Sequence, residues 1–215
     1  TKDGGKAGDG TGFKSGGYGM SDNPKAPSVI PMHIVRYCLA YMNKNKGFYA
    51  NHHLGGIAWY NNTGYQNPSN FCMLNRKTAS EAVDVPGYGH IISNNLSHKP
   101  RSSGKHIIDV NQAECEIVNN SFLPVGMVVT DDDFISLDAS QLTLPRKSDG
   151  NLPDIDFLRL RTDSQLYNAG VGCFLTEGDE DTAYGWLEDT AIFVEGDVAK
   201  VVGKGAEAFV HFYIN

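Results

Sequence analysis

The pair Asn-Asn recurs at the end of one short apolar strand after another, and this recurrence constrains the fold more than any other feature. The pairs are Asn61-Asn62, Asn94-Asn95 and Asn119-Asn120, each after an apolar triplet in the same register. Cys38-Leu39 takes that place in a first copy, so the steps are 23, 33 and 25 residues (38 to 61, 61 to 94, 94 to 119). The long step contains the polar insertion Arg76 to Tyr88, which we expect to leave the repeat as a loop. A period in the low twenties, made of strands and turns without helices, is typical of a β-solenoid.

Asparagine suits the strand ends of such a fold for two physical reasons. It tolerates the left-handed backbone of a sharp corner. Its amide can also hydrogen-bond to the same amide one coil away, at the strand spacing of about 4.8 Å. A second set of short strands, around Phe13, Phe48, Phe71 and Ile107, interleaves with the first and gives two or three strands per turn. We therefore predict an all-β chain that forms a right-handed parallel β-helix.

The periodicity fades after Phe122, and this change sets the predicted domain organisation. Residues 1–172 are predicted to form the β-helix coils with their covering loops. Residues 173–215 alternate apolar and polar side chains in places, and we expect a small C-terminal β unit that is truncated at Asn215. The cluster Asp131-Asp132-Asp133 fits a helix cap or turn, with a calcium-binding role as the alternative.

Composition limits the partners of this chain. Hydrophobic residues make up 40% and charged residues 20%, which is typical of a globular protein. The formal net charge of -7 argues against nucleic acid, although an acidic polysaccharide can still bind where a few cations are well placed. No apolar run is long enough to span a bilayer, so we predict no membrane partner. The four cysteines are widely spaced and form no CxxC, which favours buried core residues over a zinc site or a disulfide framework.

The stretch Gly10 to Gly17, with the sequence GTGFKSGG, resembles pectate lyases of polysaccharide lyase family 9. That family carries a Gly-x-Gly-Phe-Lys-x-Gly-Gly motif just before a strand that contains a histidine, and here that strand is Met32 to Val35. The likeness covers roughly residues 8 to 172 and is specific as a combination. The other matching segments are Asn45–Asn51, Tyr60–Thr63, Asn67–Phe71, Leu144–Pro153, Phe157–Leu160 and Ser164–Val171.

The resemblance implies a parallel β-helix, in agreement with the asparagine pattern, and β-elimination on uronate-containing pectin. The family's catalytic base is a lysine, and the motif maps it to Lys14. Calcium held by a cluster of aspartates binds the uronate carboxylate in that family. Those aspartates lie upstream of the lysine motif, so we expect the Ca²⁺ ligands upstream of residue 1 and none in this chain, which then corresponds to the C-terminal part of the enzyme.

Positions that stack near Lys14 on later coils are expected to line a sugar cleft. Tyr49 occupies the equivalent place in Gly47-Phe48-Tyr49, and arginines nearby can grip carboxylates with a bidentate fork. The alternatives are ordinary: a solvated lysine in a glycine-rich loop, a stacking tyrosine and polar turn residues. The predicted substrate-binding residues are Tyr49, Asn51, His53, Arg36 and Arg76, with His33 and His52 as further candidates.

The sequence thus predicts a pectate lyase type of enzyme that cleaves polygalacturonate or the rhamnogalacturonan backbone. The alternative is a non-catalytic β-helix that binds carbohydrate or acts as an adhesin. A β-helical hydrolase lacks support because no carboxylate pair stands out near the cleft strands. We expect a monomeric bacterial protein, secreted, periplasmic or on the cell surface, whose partner is an acidic pectic polysaccharide.

Overall fold

The computed structural model describes residues 8–19, 27–171, 191–195 and 198–202. The chain divides into two compact units, Thr1–Val128 and Val129–Asn215. This division differs from the predicted boundary after residue 172, because residues 129–171 group with the second unit and not with the β-helix coils. Within the described residues, no helix has the length and apolar character needed to cross a membrane.

Three parallel sheets form the walls of the first unit, and successive strands of the chain visit them in turn. The first sheet contains β1 (Phe13–Lys14), β4 (Phe48–Tyr49), β7 (Phe71–Cys72) and β12 (Ile107–Ile108). The second sheet contains β2 (His33–Arg36), β5 (Ile57–Tyr60), β10 (Ile91–Ser93) and β13 (Glu116–Val118). The third sheet contains β3 (Leu39–Tyr41), β6 (Thr63–Tyr65) and β11 (Leu96–His98). Each strand pairs in parallel with the strand one coil away, as the predicted β-helix requires.

The predicted asparagine ladder runs along the corner between the second and third sheets. Nδ2 of Asn62 donates to Oδ1 of Asn95 at 3.0 Å, and Nδ2 of Asn95 donates to Oδ1 of Asn120 at 2.8 Å. All three side chains are buried. The asparagine before each of them adopts the left-handed backbone, with φ of 52°, 57° and 52° at residues 61, 94 and 119. Both physical roles assigned to the pairs are therefore confirmed.

The first copy of the ladder begins one residue earlier than predicted. Strand pairing aligns Arg36 with Tyr60, so Tyr37 already lies at the corner, with φ of 54°. The backbone N–H of Cys38 then donates to Oδ1 of Asn62 at 3.1 Å. The first step is thus 24 residues (38 to 62). The prediction was wrong because it counted Tyr37 as the last residue of the strand.

A second polar column was not predicted from the sequence. Nδ2 of Asn43 donates to Oδ1 of Asn67, and Nδ2 of Asn67 donates to Oδ1 of Asn70, both at 2.9 Å. Asn70 in turn donates to Oγ of Ser97 at 2.8 Å. Two members of this column come from the same coil, three residues apart, so the column has no regular sequence period.

Stacked phenylalanines fill the interior behind the first sheet. The ring centroids of Phe13 and Phe48 are 5.0 Å apart, and those of Phe48 and Phe71 are 4.9 Å apart. Each fully buried ring contributes on the order of 2 kcal/mol to folding. Because neighbouring side chains of a strand point to opposite faces, Lys14 and Tyr49 lie on the outward face of the same sheet.

The polar insertion leaves the coil as a hairpin, as expected. Its strands are β8 (Asn75–Arg76) and β9 (Asp84–Val85), which pair antiparallel so that Arg76 lies opposite Asp84. Residues 77 to 84 of the hairpin are exposed. The hairpin begins just after β7, so it starts next to the outward face of the first sheet, where Lys14 and Tyr49 lie.

The second unit contains short 3-10 helices and one antiparallel hairpin among its described residues. The helices are Asp131–Asp133 and Ala139–Thr143, and the hairpin is β14 (Ala191–Glu195) with β15 (Val198–Val202). Asp133 accepts hydrogen bonds from the backbone N–H of Thr130 and from the hydroxyl of Ser164, both at 2.7 Å. This is the capping role expected for the aspartate cluster. Apart from the hairpin, the predicted C-terminal segment 173–215 lies outside the described residues.

Candidate active site

Lys14 is the outward-facing residue of β1, and half of its side chain is exposed. Its Nζ lies 3.2 Å from Oδ2 of Asp9. The backbone N–H of Thr11 donates to the other carboxylate oxygen at 3.0 Å, and this bond, with Lys14, lowers the pKa of Asp9. Because an exposed ion pair contributes at most about 1 kcal/mol, Asp9 holds Lys14 only weakly in place.

The glycines of the lysine motif are required by the adjacent coil. A Cβ at Gly16 would lie 2.1 Å from the carbonyl oxygen of Ala50, and a Cβ at Gly12 would lie 2.7 Å from that of Gly47. Such distances exclude any side chain at these two positions. The adjacent coil therefore accounts for these two glycines.

Tyr49 lies directly beside Lys14 on the next coil, because the two residues pair in the register of β1 and β4. Its ring is covered on one side by Lys46, whose Nζ is 4.6 Å from the ring centroid. Its hydroxyl lies 3.4 Å from Nε2 of His52. Only 7% of Tyr49 is accessible, and burial raises the pKa of its hydroxyl to about 12. The predicted alignment of Lys14 and Tyr49 is confirmed.

The hairpin brings a carboxylate to this face. Oδ1 of Asp84 lies 3.1 Å from Nε2 of His52 and also accepts a hydrogen bond from Nη1 of Arg76. The side chains of His52 and Arg76 are each 16% exposed, and that of Asp84 is 51% exposed. Burial lowers the pKa of His52, and the Arg76 guanidinium lowers it further against the opposing effect of Asp84. His52 is therefore a neutral imidazole at neutral and alkaline pH.

The structure brings Arg76 close to the line of Lys14 and Tyr49, but with its guanidinium already engaged. Nη1 contacts Asp84 and the carbonyl oxygen of Ala82, both on the hairpin. A uronate carboxylate would have to share Arg76 with Asp84.

Asn51 holds the coils together through its amide. Nδ2 of Asn51 donates to the carbonyl oxygen of Gly16 at 2.9 Å, and its backbone has a φ of 50°. These contacts match the alternative interpretation of Asn51 as a structural turn residue. Its role toward a substrate stays a prediction.

The structure contradicts the predicted substrate contact of His53. The residue has 0% exposure, and its ring stacks on His33 with centroids 3.9 Å apart. Nε2 of His53 lies 2.8 Å from the carbonyl oxygen of Pro31. Burial lowers its pKa, so the imidazole is neutral. A polysaccharide on the surface cannot reach this ring.

Arg36 lies on a different sheet from Lys14. It ends β2, in the second sheet, and its guanidinium carbon is 6.0 Å from the ring centroid of Tyr37. The prediction that placed Arg36 in the same cleft as Lys14 is therefore wrong. The sequence pattern left two or three strands per turn open, and the structure has three sheets with three outward directions.

Sequence reasoning missed two residues of this site, Lys46 and Asp84. Lys46 lies in one of the segments that match the family. Its position two residues before β4 could have indicated that it lies near Tyr49. Asp84 lies in an insertion with no periodic signal, so only the three-dimensional structure reveals it. Among the residues that the structure describes, no group of three or more His, Cys, Asp or Glu side chains is arranged to hold a metal ion.

The fold and this outward-facing lysine define a parallel β-helix protein with a basic site on one sheet. A family model described as "Pel9A-like, right handed beta helix region" matches residues 1–118. A second, described as "Rhamnogalacturonan lyase-like, C-terminal", matches residues 111–215. The chain belongs to the Pel9A-like right-handed β-helix family. This confirms both the predicted fold and the resemblance read from the lysine motif.

Relatives of known name match about three quarters of the chain. Pectate lyase L of Dickeya chrysanthemi is 34% identical over 165 residues, which are 77% of this chain and 33% of that protein. Pectate lyase L of Paenibacillus polymyxa (strain SC2) is 31% identical over 166 residues, 76% of this chain and 32% of that protein. The chain therefore spans about a third of the length of these curated relatives.

Two solved structures share the fold. A rhamnogalacturonan lyase is 52% identical with a TM-score of 0.65, over 73% of this chain and 38% of that chain. The crystal structure of pectate lyase Pel9A is 29% identical with a TM-score of 0.57, over 81% of this chain and 38% of that chain.

Proposed function

We propose that the protein containing this chain is a polysaccharide lyase that cleaves galacturonate-containing pectin by β-elimination, with Lys14 as the base. The observation that carries the proposal is the position of Lys14: half exposed, on the outward face of the first sheet, within the motif that led to the family. The names of the relatives, pectate lyase and rhamnogalacturonan lyase, support polygalacturonate and the rhamnogalacturonan backbone as the two substrate candidates.

The reaction begins at C5 of the galacturonate, next to the carboxylate. Lys14 takes the C5 proton, the electron pair forms the C4=C5 double bond, and the C4–O4 bond breaks. A free lysine has a pKa near 10.4, so alkaline conditions and neighbouring cations favour the neutral amine that a base requires. Lys46 and Arg76, which share this face, supply positive charge for a polyanionic substrate.

Calcium belongs to the proposal as the cation that would neutralise the uronate carboxylate while negative charge develops on it. Among the described residues no group of three or more His, Cys, Asp or Glu side chains could hold a metal ion, so we assign none of them to calcium. The family resemblance suggests ligands upstream of the lysine motif. The secreted, periplasmic or surface location and the monomeric state are likewise proposals.

The test is digestion of polygalacturonate and of rhamnogalacturonan by the complete natural protein that contains residues 1–215. We expect an absorbance rise from the 4,5-unsaturated product, which Lys14→Ala abolishes. Lys77→Ala removes an exposed lysine of the hairpin and is the matched control, since it should leave the rate intact. No rise with either polymer would refute the lyase. Calorimetric binding of galacturonides without turnover would then favour the non-catalytic binding module.

A further inference from the structure

The proposed elimination leaves one chemical requirement unassigned. When the C4–O4 bond breaks, its electron pair stays on O4 of the departing sugar, and a sugar alkoxide is a poor leaving group. A proton delivered to O4 in the transition state lowers this barrier. The identity of the residue that supplies this proton is inferred on the basis of the proposed function.

Tyr49 is the hydroxyl-bearing residue that the fold places beside Lys14. The two residues are partners in adjacent parallel strands, so their side chains leave the same face at the strand spacing of about 4.8 Å. The ring of Tyr49 is held between Lys46, over its face, and His52, at its edge with centroids 5.9 Å apart. A tyrosine held in this way has little rotational freedom, and its hydroxyl position is set by the protein.

The hydrogen-bond roles around His52 determine where the hydroxyl proton of Tyr49 points. Nε2 of His52 faces both Oδ1 of Asp84, at 3.1 Å, and the hydroxyl oxygen of Tyr49, at 3.4 Å. An ionised carboxylate can only accept, so the 3.1 Å contact with Asp84 favours the tautomer of His52 that carries the ring proton on Nε2. The same Nε2–H then donates toward the Tyr49 oxygen, which acts as an acceptor there. The hydroxyl hydrogen of Tyr49 is left to be donated elsewhere.

We propose that Tyr49 is a second catalytic residue that donates its hydroxyl proton to O4 of the leaving sugar, and that Asp84 and His52 are positioning residues for this donation. The C5 proton passes to Nζ of Lys14, the C5–H electron pair becomes the double bond, and the C4–O4 pair leaves on O4 with the Tyr49 proton. Water then reprotonates the tyrosinate, and the Lys14 ammonium releases its proton to solvent.

The protonation states suit these two roles. A lysine acts as a base only when it is neutral, near or above its ordinary pKa of about 10.4. Burial raises the pKa of the Tyr49 hydroxyl to about 12, so this group keeps its proton under the alkaline conditions that free a lysine amine. Two neighbouring groups with separated pKa values can act as the base and the acid of one reaction.

The first experiment compares two leaving groups in the complete natural protein that contains residues 1–215. Tyr49→Phe should lower kcat on polygalacturonate or rhamnogalacturonan by about 10²- to 10⁴-fold, the usual contribution of a general acid. A galacturonide with a nitrophenyl group on O4 releases nitrophenolate, which needs no proton, so its rate should change little. An equal loss with both substrates would overturn the assignment of Tyr49 as a donor. A wild-type protein that makes no unsaturated product would instead refute the proposed function.

The second experiment tests the positioning residues with a readout that a structural role would not change. Nitrogen NMR of the 215-residue chain should show His52 with its proton on Nε2, whereas Asp84→Asn should shift the tautomer and lower kcat on the polysaccharide. Glu81→Gln alters another carboxylate of the same hairpin and should change neither quantity. A proton on Nδ1 of His52 in the wild-type chain, or an unchanged tautomer in Asp84→Asn, would overturn the role of Asp84.

Discussion

Replacement of Asn95 by alanine tests whether the asparagine ladder holds the coils together. Asn95 is fully buried in the middle of the column. Its Oδ1 accepts from the backbone N–H and from Nδ2 of Asn62, both at 3.0 Å. Its Nδ2 donates to Oδ1 of Asn120 and to the carbonyl oxygens of Trp59 and Ser93.

The expected loss follows from the groups that alanine leaves without partners. Two buried donors of Asn62 lose their acceptor, and each unsatisfied buried group costs about 1–3 kcal/mol. We therefore expect Asn95→Ala to lower the free energy of unfolding by about 4 kcal/mol, a large part of the 5–15 kcal/mol of a typical domain. For a unit of this size the loss corresponds to a fall in Tm of roughly 10–20 °C.

The assay is urea unfolding of the 215-residue chain followed by tryptophan fluorescence. The chain has two tryptophans, Trp59 and Trp186, and Trp59 is fully buried in the β-helix. A Trp186→Phe background therefore makes the signal specific for that unit. The control is Asn119→Gly, which keeps the left-handed backbone at φ of 52° and removes the partly buried hydrogen bond to Asn94, a bond that contributes about 1 kcal/mol. If Asn95→Ala lost no more than this control, the energetic argument for the ladder would be refuted.

Two further predictions concern stability. Burial lowers the pKa of His90 to about 4, and its Nδ1 accepts from the backbone N–H of Ile57 at 3.0 Å. As the pH falls, His90 is therefore protonated in the unfolded chain before it is protonated in the folded one. The contribution of the neutral His90 to the free energy of unfolding is present above about pH 6.5 and should fall by about 3 kcal/mol as the pH drops to 4. Urea unfolding at pH 6.5 and pH 4 measures this loss of stability. His90→Asn retains a hydrogen-bond acceptor but does not titrate, so it should reduce the loss. An unchanged difference in stability between the two pH values would argue against His90. Gly16→Ala places a Cβ 2.1 Å from the Ala50 oxygen and should cost at least about 1–3 kcal/mol, whereas Gly126→Ala, with nothing closer than 3.5 Å, should be tolerated in the same thermal melt. Equal melting temperatures for the two glycine variants would contradict the close approach of the coils.

The sequence was sufficient for those parts of the fold that repeat. One asparagine pair per coil fixes the corner and the register, and the register then places Tyr49 beside Lys14 without any further information. The same logic fails where the repeat is interrupted. Asp84 reaches His52 through a hairpin inserted into the coil, and no sequence spacing connects the two residues. Arg36 was misplaced for a related reason, since a period alone does not say how many sheets one turn contains.

The contrast between His52 and His53 shows why the direction of these side chains could not be predicted from the sequence. Simple strand alternation from Tyr49 would place Asn51 and His53 on the outward face and His52 inside. The chain leaves β4 and turns at once, with φ of 50° at Asn51 and 62° at His52. Two consecutive left-handed residues break the alternation, so His52 reaches Tyr49 and Asp84 while His53 enters the interior against His33.

This turn carries a conformational cost at His52, since the left-handed region costs roughly 1–2 kcal/mol for a residue other than glycine or asparagine. The amide of Asn51 offsets part of that cost through its hydrogen bond to Gly16, which lies two residues after Lys14. The strained turn is thereby fastened to the segment that carries the proposed base. That bond uses only the backbone carbonyl of residue 16, which any residue would offer. Glycine is required there for another reason, since a Cβ at position 16 would lie 2.1 Å from the carbonyl oxygen of Ala50 and 2.4 Å from Cβ of His53. The residues on either side of the turn therefore pack against the segment that carries Lys14, while the turn itself directs His52 toward Tyr49 and Asp84.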